Sequence, residues 1–342
     1  MSMIRFLLQR ALYSIFVLLG LSVVIFVIAR IMPGDPARMA VGARAPQWVV
    51  DRLREQMHLN DPVAVQYYFW LKDAMKGDFG LSLITQRPVT NDIREFLPAS
   101  LELALYAAIL EAVFGIGLGI VSARYKDTWI DNLGRLISYA GIVTPSYIFA
   151  IFFILLFGFA LKWFPIIGRV SEDVAMPKTI TGLVTIDALI QGQFHTFFNA
   201  LWHIILPSFS LAMGSIAQAA RITRSSMADN LTKDYIANMR AMGVSEKAIM
   251  SRFLLKPSLI PTISILGLDI ASILSVAFIV ESIFNWPGLA RYGMNAMLYK
   301  DLNAISAVIL VFGATFAIMN IVVDIIVAQL DPRIRLRAAK GD

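Results

Sequence analysis

Six stretches of the chain run almost without charge: Ala11–Ala29, Ala99–Ala123, Leu136–Leu161, Phe197–Ala220, Leu259–Ile283 and Leu302–Leu330. Each meets the ~20 residues that an α-helix, rising ~1.5 Å per residue, needs to cross the hydrocarbon layer. None alternates over ~10 residues as a membrane barrel strand does. The pattern predicts an all-α, polytopic membrane protein with six transmembrane helices. The first run spans 19 residues between Arg10 and Arg30, longer than the ~7–15 apolar residues of a signal peptide, and is expected to be retained.

Two segments between the runs carry helical periodicity of their own. In the 32–98 segment, Asp61 is placed to cap a helix with Pro62 at its first position. Tyr68, Leu71 and Met75 follow at i, i+3 and i+7, and Gly77 is the stop. A second helix, Trp48–Met57, is expected to bury Val49, Leu53 and Met57, the two forming a small cap. In the 221–258 segment, Met227, Leu231, Tyr235, Met239 and Met242 form one stripe. Gly243 suits a C′ position with positive φ, and Ser245 can cap a second helix with Glu246 in its first turn. Ile249, Met250, Phe253 and Leu254 lie on one side of that helix, before Pro257 and Pro261. Such a helix–turn–helix knob could lie on lipid headgroups or dock in a groove of a soluble partner.

Composition narrows the class. Of 342 residues, 58% are hydrophobic and 16% charged, against about 25% charged in a soluble domain, and the mean hydropathy is +0.68. With no cysteine, disulfides, thiolate catalysis and Cys-ligated metals are excluded. The net charge of +6 is informative chiefly through its placement. With a cytoplasmic N-terminus, segments 1–10, 124–135, 221–258 and 331–342 hold sixteen Lys and Arg, whereas 162–196 and 284–301 hold five. The long 30–98 segment is exempt from the positive-inside rule, which acts on loops up to ~60 residues. The asymmetry predicts both termini inside, N-in/C-in, and makes nucleic acid an unneeded partner.

Motifs for catalysis are missing. There is no G-x-x-x-x-G-K-[ST] phosphate loop, no G-x-S-x-G elbow, and no metal-ligand spacing among His58, His195 and His203. The chain is therefore expected not to be an enzyme and to bind no cofactor or metal. Gly115-Ile-Gly-Leu-Gly119 permits close helix approach. Acids in apolar spans are costly. Glu102, Glu281 and Asp324 sit near span ends, where contact with headgroups would suffice. Glu111 and Asp269 lie deeper and should face the bundle interior or a watery path. Glu102 and Glu111 are nine residues apart, so ~900° of helical rotation sets them on opposite faces. Pro145 and Pro207 allow kinks.

The ordered set of local motifs resembles the permease subunits of binding-protein-dependent ABC importers, in the dipeptide, oligopeptide and nickel group. It comprises Met32-Pro-Gly-Asp-Pro36, Leu59-x-x-Pro62, Gly77-Asp-Phe-Gly80 with Ser82, Ser100-Leu-Glu-Leu103, Arg221-x-x-Arg224-Ser-Ser-Met227, Asp234-Tyr-Ile236 with Arg240-Ala241 and Gly243, Trp286-Pro-Gly-Leu289, and Asp331-Pro-Arg-Ile-Arg335. The resemblance covers essentially the whole chain. Departures lie at Ala237-Asn-Met239, Met242, Phe253 and Pro257.

The resemblance implies a type I importer transmembrane domain in a bacterial or archaeal inner membrane. It divides the chain into a first span (1–31), an extracytoplasmic cap loop (32–98), a core (99–330) containing a cytoplasmic coupling loop (221–258), and a cytoplasmic tail (331–342). It implies a second permease subunit, two cytoplasmic ATPases that hold ATP and magnesium, and an extracytoplasmic binding protein delivering peptides. Asp234, Tyr235, Arg240, Ala241 and Gly243 would form the patch coupling to the ATPases, which favours docking for the knob. Glu111 and Asp269 are candidates for the translocation path. A rival reading is a self-contained channel or secondary carrier that uses those two acids for ions or protons.

Overall fold

The computed structural model describes residues 3–31, 36–42, 44–56 and 58–330. Residues 32–35 of the Met32–Pro36 motif, Met57, and the 331–342 tail with its Asp331–Arg335 motif lie outside the described residues. Helix α1 is Met3–Ile31, followed by the short α2 (Pro36–Val41), α3 (Gln47–Gln56) and α4 (Val63–Met75). Helix α5, Val89–Arg124, is interrupted by a π turn at Glu111–Gly115. Next come α6 (Trp129–Val143), α7 (Ser146–Ala160), α8 (Val184–Ile190) and α9 (Phe194–Leu231). On the 221–258 segment lie α10 (Asp234–Ala241) and α11 (Glu246–Ala248), the latter continued by a π turn at Ile249–Leu254. Helices α12 (Leu255–Ile283), α13 (Leu289–Leu298) and α14 (Leu302–Leu330) complete the described residues. Among the described residues the one β-bridge pairs Leu81 with Pro88.

The all-α, polytopic class is as expected. Five helical stretches are long and apolar enough to span a membrane, and α6 with α7 makes a sixth only as a pair bent by 108°. The third span is thus not a straight helix. Thr144 and Pro145 take extended ψ values of 122° and 145°, because a residue before proline is pushed out of the helical region and proline offers no amide hydrogen. By contrast, Pro207 lies inside the continuous α9.

Helix α9 is the central post and packs against α5, α6, α7, α8 and α12. Gly115 and Gly119 explain its closeness to α5. A β-carbon at Gly115 would lie 2.6 Å from Ala219 Cβ, and one at Gly119 would lie 2.4 Å from Thr223 Cβ and 2.7 Å from the Ala220 carbonyl. Gly141 does the same for α6, 2.6 Å from Ala217 Cβ. Small residues let backbones approach where lipid supplies no hydrophobic drive. The main core joins Leu103 and Ala107 of α5, Ile204 and Ile216 of α9, and Ala277 and Val280 of α12.

The 36–88 segment corrects three expectations. Pro62, not Asp61, is the residue preceding α4, no side chain caps it, and Asp61 instead meets His58 Nδ1 at 2.8 Å. Of the stripe, Tyr68 and Met75 are exposed and Leu71 is half-buried. Tyr67 and Trp70 pack on Phe26 of α1, and Tyr67 shares a 2.8 Å hydrogen bond with Ser22. In α3, Val50 is buried while Val49 and Leu53 are half-buried. Gly77 does end α4, at φ +81°.

Candidate functional site

The knob after α9 is held by a compact apolar cluster. Met227, Ile236, Ile249 and Leu254 are buried with Ala123 of α5, and Leu231, Met239, Val244 and Met250 pack around them. The stripe therefore divides. Met227, Leu231 and Met239 turn inward, whereas Tyr235 lies at the surface and Met242 is 81% exposed. The break at Thr232–Lys233, between α9 and α10, rotates the next turn and brings Ile236 inward. Phe253 is likewise exposed.

Gly243 adopts φ +76°. Its N–H donates to the Arg240 carbonyl and that of Val244 to the Met239 carbonyl, both at 3.0 Å. With Met239 and Val244 in one cluster, this is a complete Schellman stop. Ser245 then accepts from Ala248 N and caps α11. Across the turn, Arg240 Nε donates to Glu246 Oε1 at 2.6 Å and Nη2 to Oε2 at 3.3 Å. Asp234, Tyr235, Arg240, Ala241 and Gly243 are all exposed on this knob. Exposed Met242 stands beside them, and its apolar character had placed it inside in the sequence pattern. A cleft of about 760 Å³ separates knob and α5, lined by Ile120, Arg124, Met227, Leu231, Arg240 and Lys247.

Polar staples fix the knob's base. Arg224 binds Asp131 of α6 in bidentate fashion at 2.9 and 2.7 Å, and Asp131 is fully buried. Thr223 and Thr262 share a hydrogen bond of 2.9 Å, and Asn230 Nδ2 donates to Ser258 Oγ at 3.0 Å. These join α9 to α12.

At the other end of the bundle Glu102 and Glu281, the acids near span ends there, are buried and partnered within the chain. Glu102 accepts from Arg169 and, at 2.7 Å, from both the N–H and hydroxyl of Thr185. Glu281 accepts from Ser100 and, at 2.7 Å, from Arg291 N–H. Asp324, half-buried towards the end of α14, pairs with Arg10 of α1 at 2.9 Å. The Ser100 and Trp286–Leu289 motifs meet here: Ser100 Oγ accepts from Leu289 N at 2.8 Å, and Trp286 Nε1 donates to the Ala99 carbonyl at 2.9 Å. Ser82, beside the Gly77–Gly80 motif, donates to Asp301 at 2.6 Å. Sequence order hid these partners, which are up to 219 residues apart.

Asp187 of α8 organises the preceding loop. It accepts from the N–H groups of Ile180, Thr181 and Gly182 at 2.8–3.1 Å and from the Thr181 hydroxyl at 2.7 Å. Burial works against its charge, but these hydrogen bonds outweigh it and hold the carboxyl below the usual aspartate value.

Glu111 and Asp269 come together from α5 and α12, each the other's ionisable neighbour. Glu111 is fully buried. Glu102, nine residues earlier, has a separate set of partners, as the helical rotation requires. No group of three or more His, Cys, Asp or Glu suited to a metal occurs among the described residues.

Comparison with known proteins gives matches along nearly all of the chain. Residues 115–336 match the model of the binding-protein-dependent transport system inner membrane component, and residues 3–104 match that of the N-terminal part of such membrane components. A probable D,D-dipeptide transport system permease protein of Escherichia coli K12 is 37% identical over 95% of this chain and 96% of its own. The dipeptide transport system permease protein of Alkalihalophilus pseudofirmus is 36% identical over 97% of this chain and all of its own. The glutathione transport system permease protein of Escherichia coli K12 is 32% identical over 98% of this chain and all of its own.

Proposed function

Because the chain belongs to the family of binding-protein-dependent transport system inner membrane components, we propose that it is the membrane-spanning permease subunit of an ATP-driven importer of di- or oligopeptides. The observation that carries the peptide reading is near-full-length similarity to permeases named for dipeptides and for glutathione, itself a short peptide. An extracytoplasmic binding protein delivers the cargo to the outer mouth. A second permease subunit completes the path, and both termini face the cytoplasm.

Two cytoplasmic ATPases supply the energy, ATP and magnesium being held by them and not by this chain. A ligand shifts a two-state protein only if it binds the states unequally, so the ATPases must reach the spans through a rigid contact. The knob of α10, Gly243 and α11 has that character. Its core and Schellman turn fix its shape while Asp234, Tyr235, Arg240, Ala241 and Gly243 are exposed to a partner. Arg224–Asp131 and Asn230–Ser258 carry a displacement of the knob into α6 and α12.

The test is copurification followed by uptake in proteoliposomes. The expected result is a complex with a second permease and two ATPases that accumulates a labelled dipeptide only with internal ATP and the binding protein. Uptake by this chain alone after ATP depletion would instead establish the secondary-carrier reading.

A further inference from the structure

We propose that a cavity between α5, α6 and α9, at the knob's end of the bundle, binds the phosphate group of an anionic phospholipid. The Arg221-x-x-Arg224-Ser-Ser-Met227 motif builds one wall of it. Met227 enters the knob's core. Arg221, Arg224 and Ser225, at i, i+3 and i+4 on one face of α9, line a cavity of about 240 Å³. Across from them stand Arg135 and Ser138 of α6 and Ser122 of α5, the last adjoining Ala123 of the knob's cluster.

The hydroxyls in this cavity lack partners. Ser122 and Ser138 are each only 7% exposed, and neither hydroxyl meets a donor or acceptor among the described residues. A buried hydroxyl left unpaired is costly. Ser82, Ser100 and Ser210, buried elsewhere, bond to Asp301, Glu281 and the Leu206 carbonyl. Gly134 keeps the space beside Ser122 open, since a β-carbon there would lie 2.1 Å from Ser122 Oγ.

The lining supplies three guanidinium groups and no carboxylate. Asp131 takes two of the five N–H donors of Arg224, at 2.9 and 2.7 Å, and so fixes that group in place. Arg135 Nη2 donates to Asn132. Arg221 is exposed, and its side chain has no partner among the described residues. The carboxylates nearby are Asp131 and Asp127, whose N–H donates to Asp131 Oδ2 at 3.0 Å. Three cations against two anions leave one positive charge unmatched. Planar guanidinium forks beside hydroxyl donors are the chemistry that grips phosphate.

Position selects what carries the phosphate. The connection from α5 holds Tyr125 and Lys126, and Trp129 opens α6, all three exposed. Aromatic and basic residues of this kind sit at headgroup level. From there α6 presents Tyr139, Ile142 and Val143, exposed and within ~80° of Arg135 at ~100° per residue. A phosphate held at Arg135 and Arg221 leaves its acyl chains this apolar strip to run along. Basic pockets between membrane-spanning helices suit anionic headgroups. The bound lipid ties α6 to α9 next to the Arg224–Asp131 staple. Nothing in this depends on the cargo.

The full-length chain, purified in detergent with the subunits that accompany it, is titrated with phosphatidylglycerol or phosphatidylcholine, and bound lipid is counted by native mass spectrometry. The wild type is expected to retain phosphatidylglycerol in preference to phosphatidylcholine. Affinity should fall about fivefold in Arg221→Gln and roughly thirtyfold when Arg135→Gln is added. Lys233→Gln with Lys247→Gln removes the same charge from the knob's exposed surface and should leave binding unchanged. If the double arginine variant does not assemble, Arg221→Gln, which has no partner to lose, carries the readout. Unchanged binding in the arginine variants, or an equal loss in the lysine variant, would overturn the proposal. So would displacement of the lipid by inorganic phosphate, which would assign the cavity to a soluble anion.

Discussion

A β-carbon on Gly288 would lie 2.2 Å from the carboxyl carbon of Glu281. Glycine therefore lets the α12–α13 connection close over a buried acid, while Ser100 and the Arg291 N–H hold that acid in place. Gly288→Ala must displace the carboxyl or the connection. Overpacking of this kind costs about 1–3 kcal/mol, so a lower unfolding midpoint in detergent is expected. An unchanged midpoint would show that Glu281 moves aside freely.

The seam between α5 and α9 gives a paired prediction. Gly119→Val drives side-chain atoms into Thr223 and the Ala220 backbone, whereas a β-carbon at Gly117 meets nothing within 4 Å. Gly119→Val should lose roughly 1–3 kcal/mol or more of stability, and Gly117→Ala should be neutral or slightly stabilising. Thermal unfolding of the two variants side by side checks this. Equal behaviour would mean that the seam is looser than its geometry.

Gly243→Val tests the knob without touching the bundle. No atom crowds this position, so the cost arises from φ +76°, about 1–2 kcal/mol for an L-residue and more for a β-branched one. Membrane insertion should be normal, while peptide uptake falls and ATPase activity of the complex persists. Gly243→Asn, which tolerates the left-handed region, should recover part of the coupling. Wild-type uptake by the valine variant would remove Gly243 from the coupling patch.

Local signals in the sequence were legible where a residue's neighbours along the chain decide its conformation. Gly77 and Gly243 announced turns with positive φ, Ser245 a cap, and Gly115 and Gly119 a close helix contact. Apolar run length located the spans. What remained hidden depends on partners distant in sequence. Tyr68 and Met75 share a periodic stripe with Leu71, yet the aromatic face of Phe26 recruits Tyr67 and Trp70 and leaves Tyr68 and Met75 exposed. Met242 continues an apolar pattern, but the break after Leu231 turns the helix and Ile236 takes the interior position. Glu102 and Glu281 lie at depths that suggested headgroup contact, until Arg169 and Ser100 meet them from other segments. The 108° bend follows from Pro145 in kind, though its size is set by packing on α9 and α12.

Acid should loosen the loop before α8 through Asp187. Its carboxyl ionises below the usual aspartate value, about 3.9 in an unfolded chain. The stabilisation is therefore fully present above that value and disappears as pH falls through the folded one. Asp187→Asn should lower the unfolding midpoint at neutral pH and blunt its decline in acid. An acid limb identical to the wild type would assign the decline to other carboxylates.

Helix α9 contains 38 residues, a rod of ~57 Å at ~1.5 Å per residue, well beyond the ~30 Å hydrocarbon layer. Towards its start His203 meets Ser171 and the Ile167 carbonyl, and its far end runs to the base of the knob. A rod of that length works as a lever. Tilting it by about 5° about one end sweeps the other through roughly 5 Å, the rise of nearly one helical turn. If α9 moves as one body, a small rotation at one end is delivered to the other as a displacement the size of a side chain.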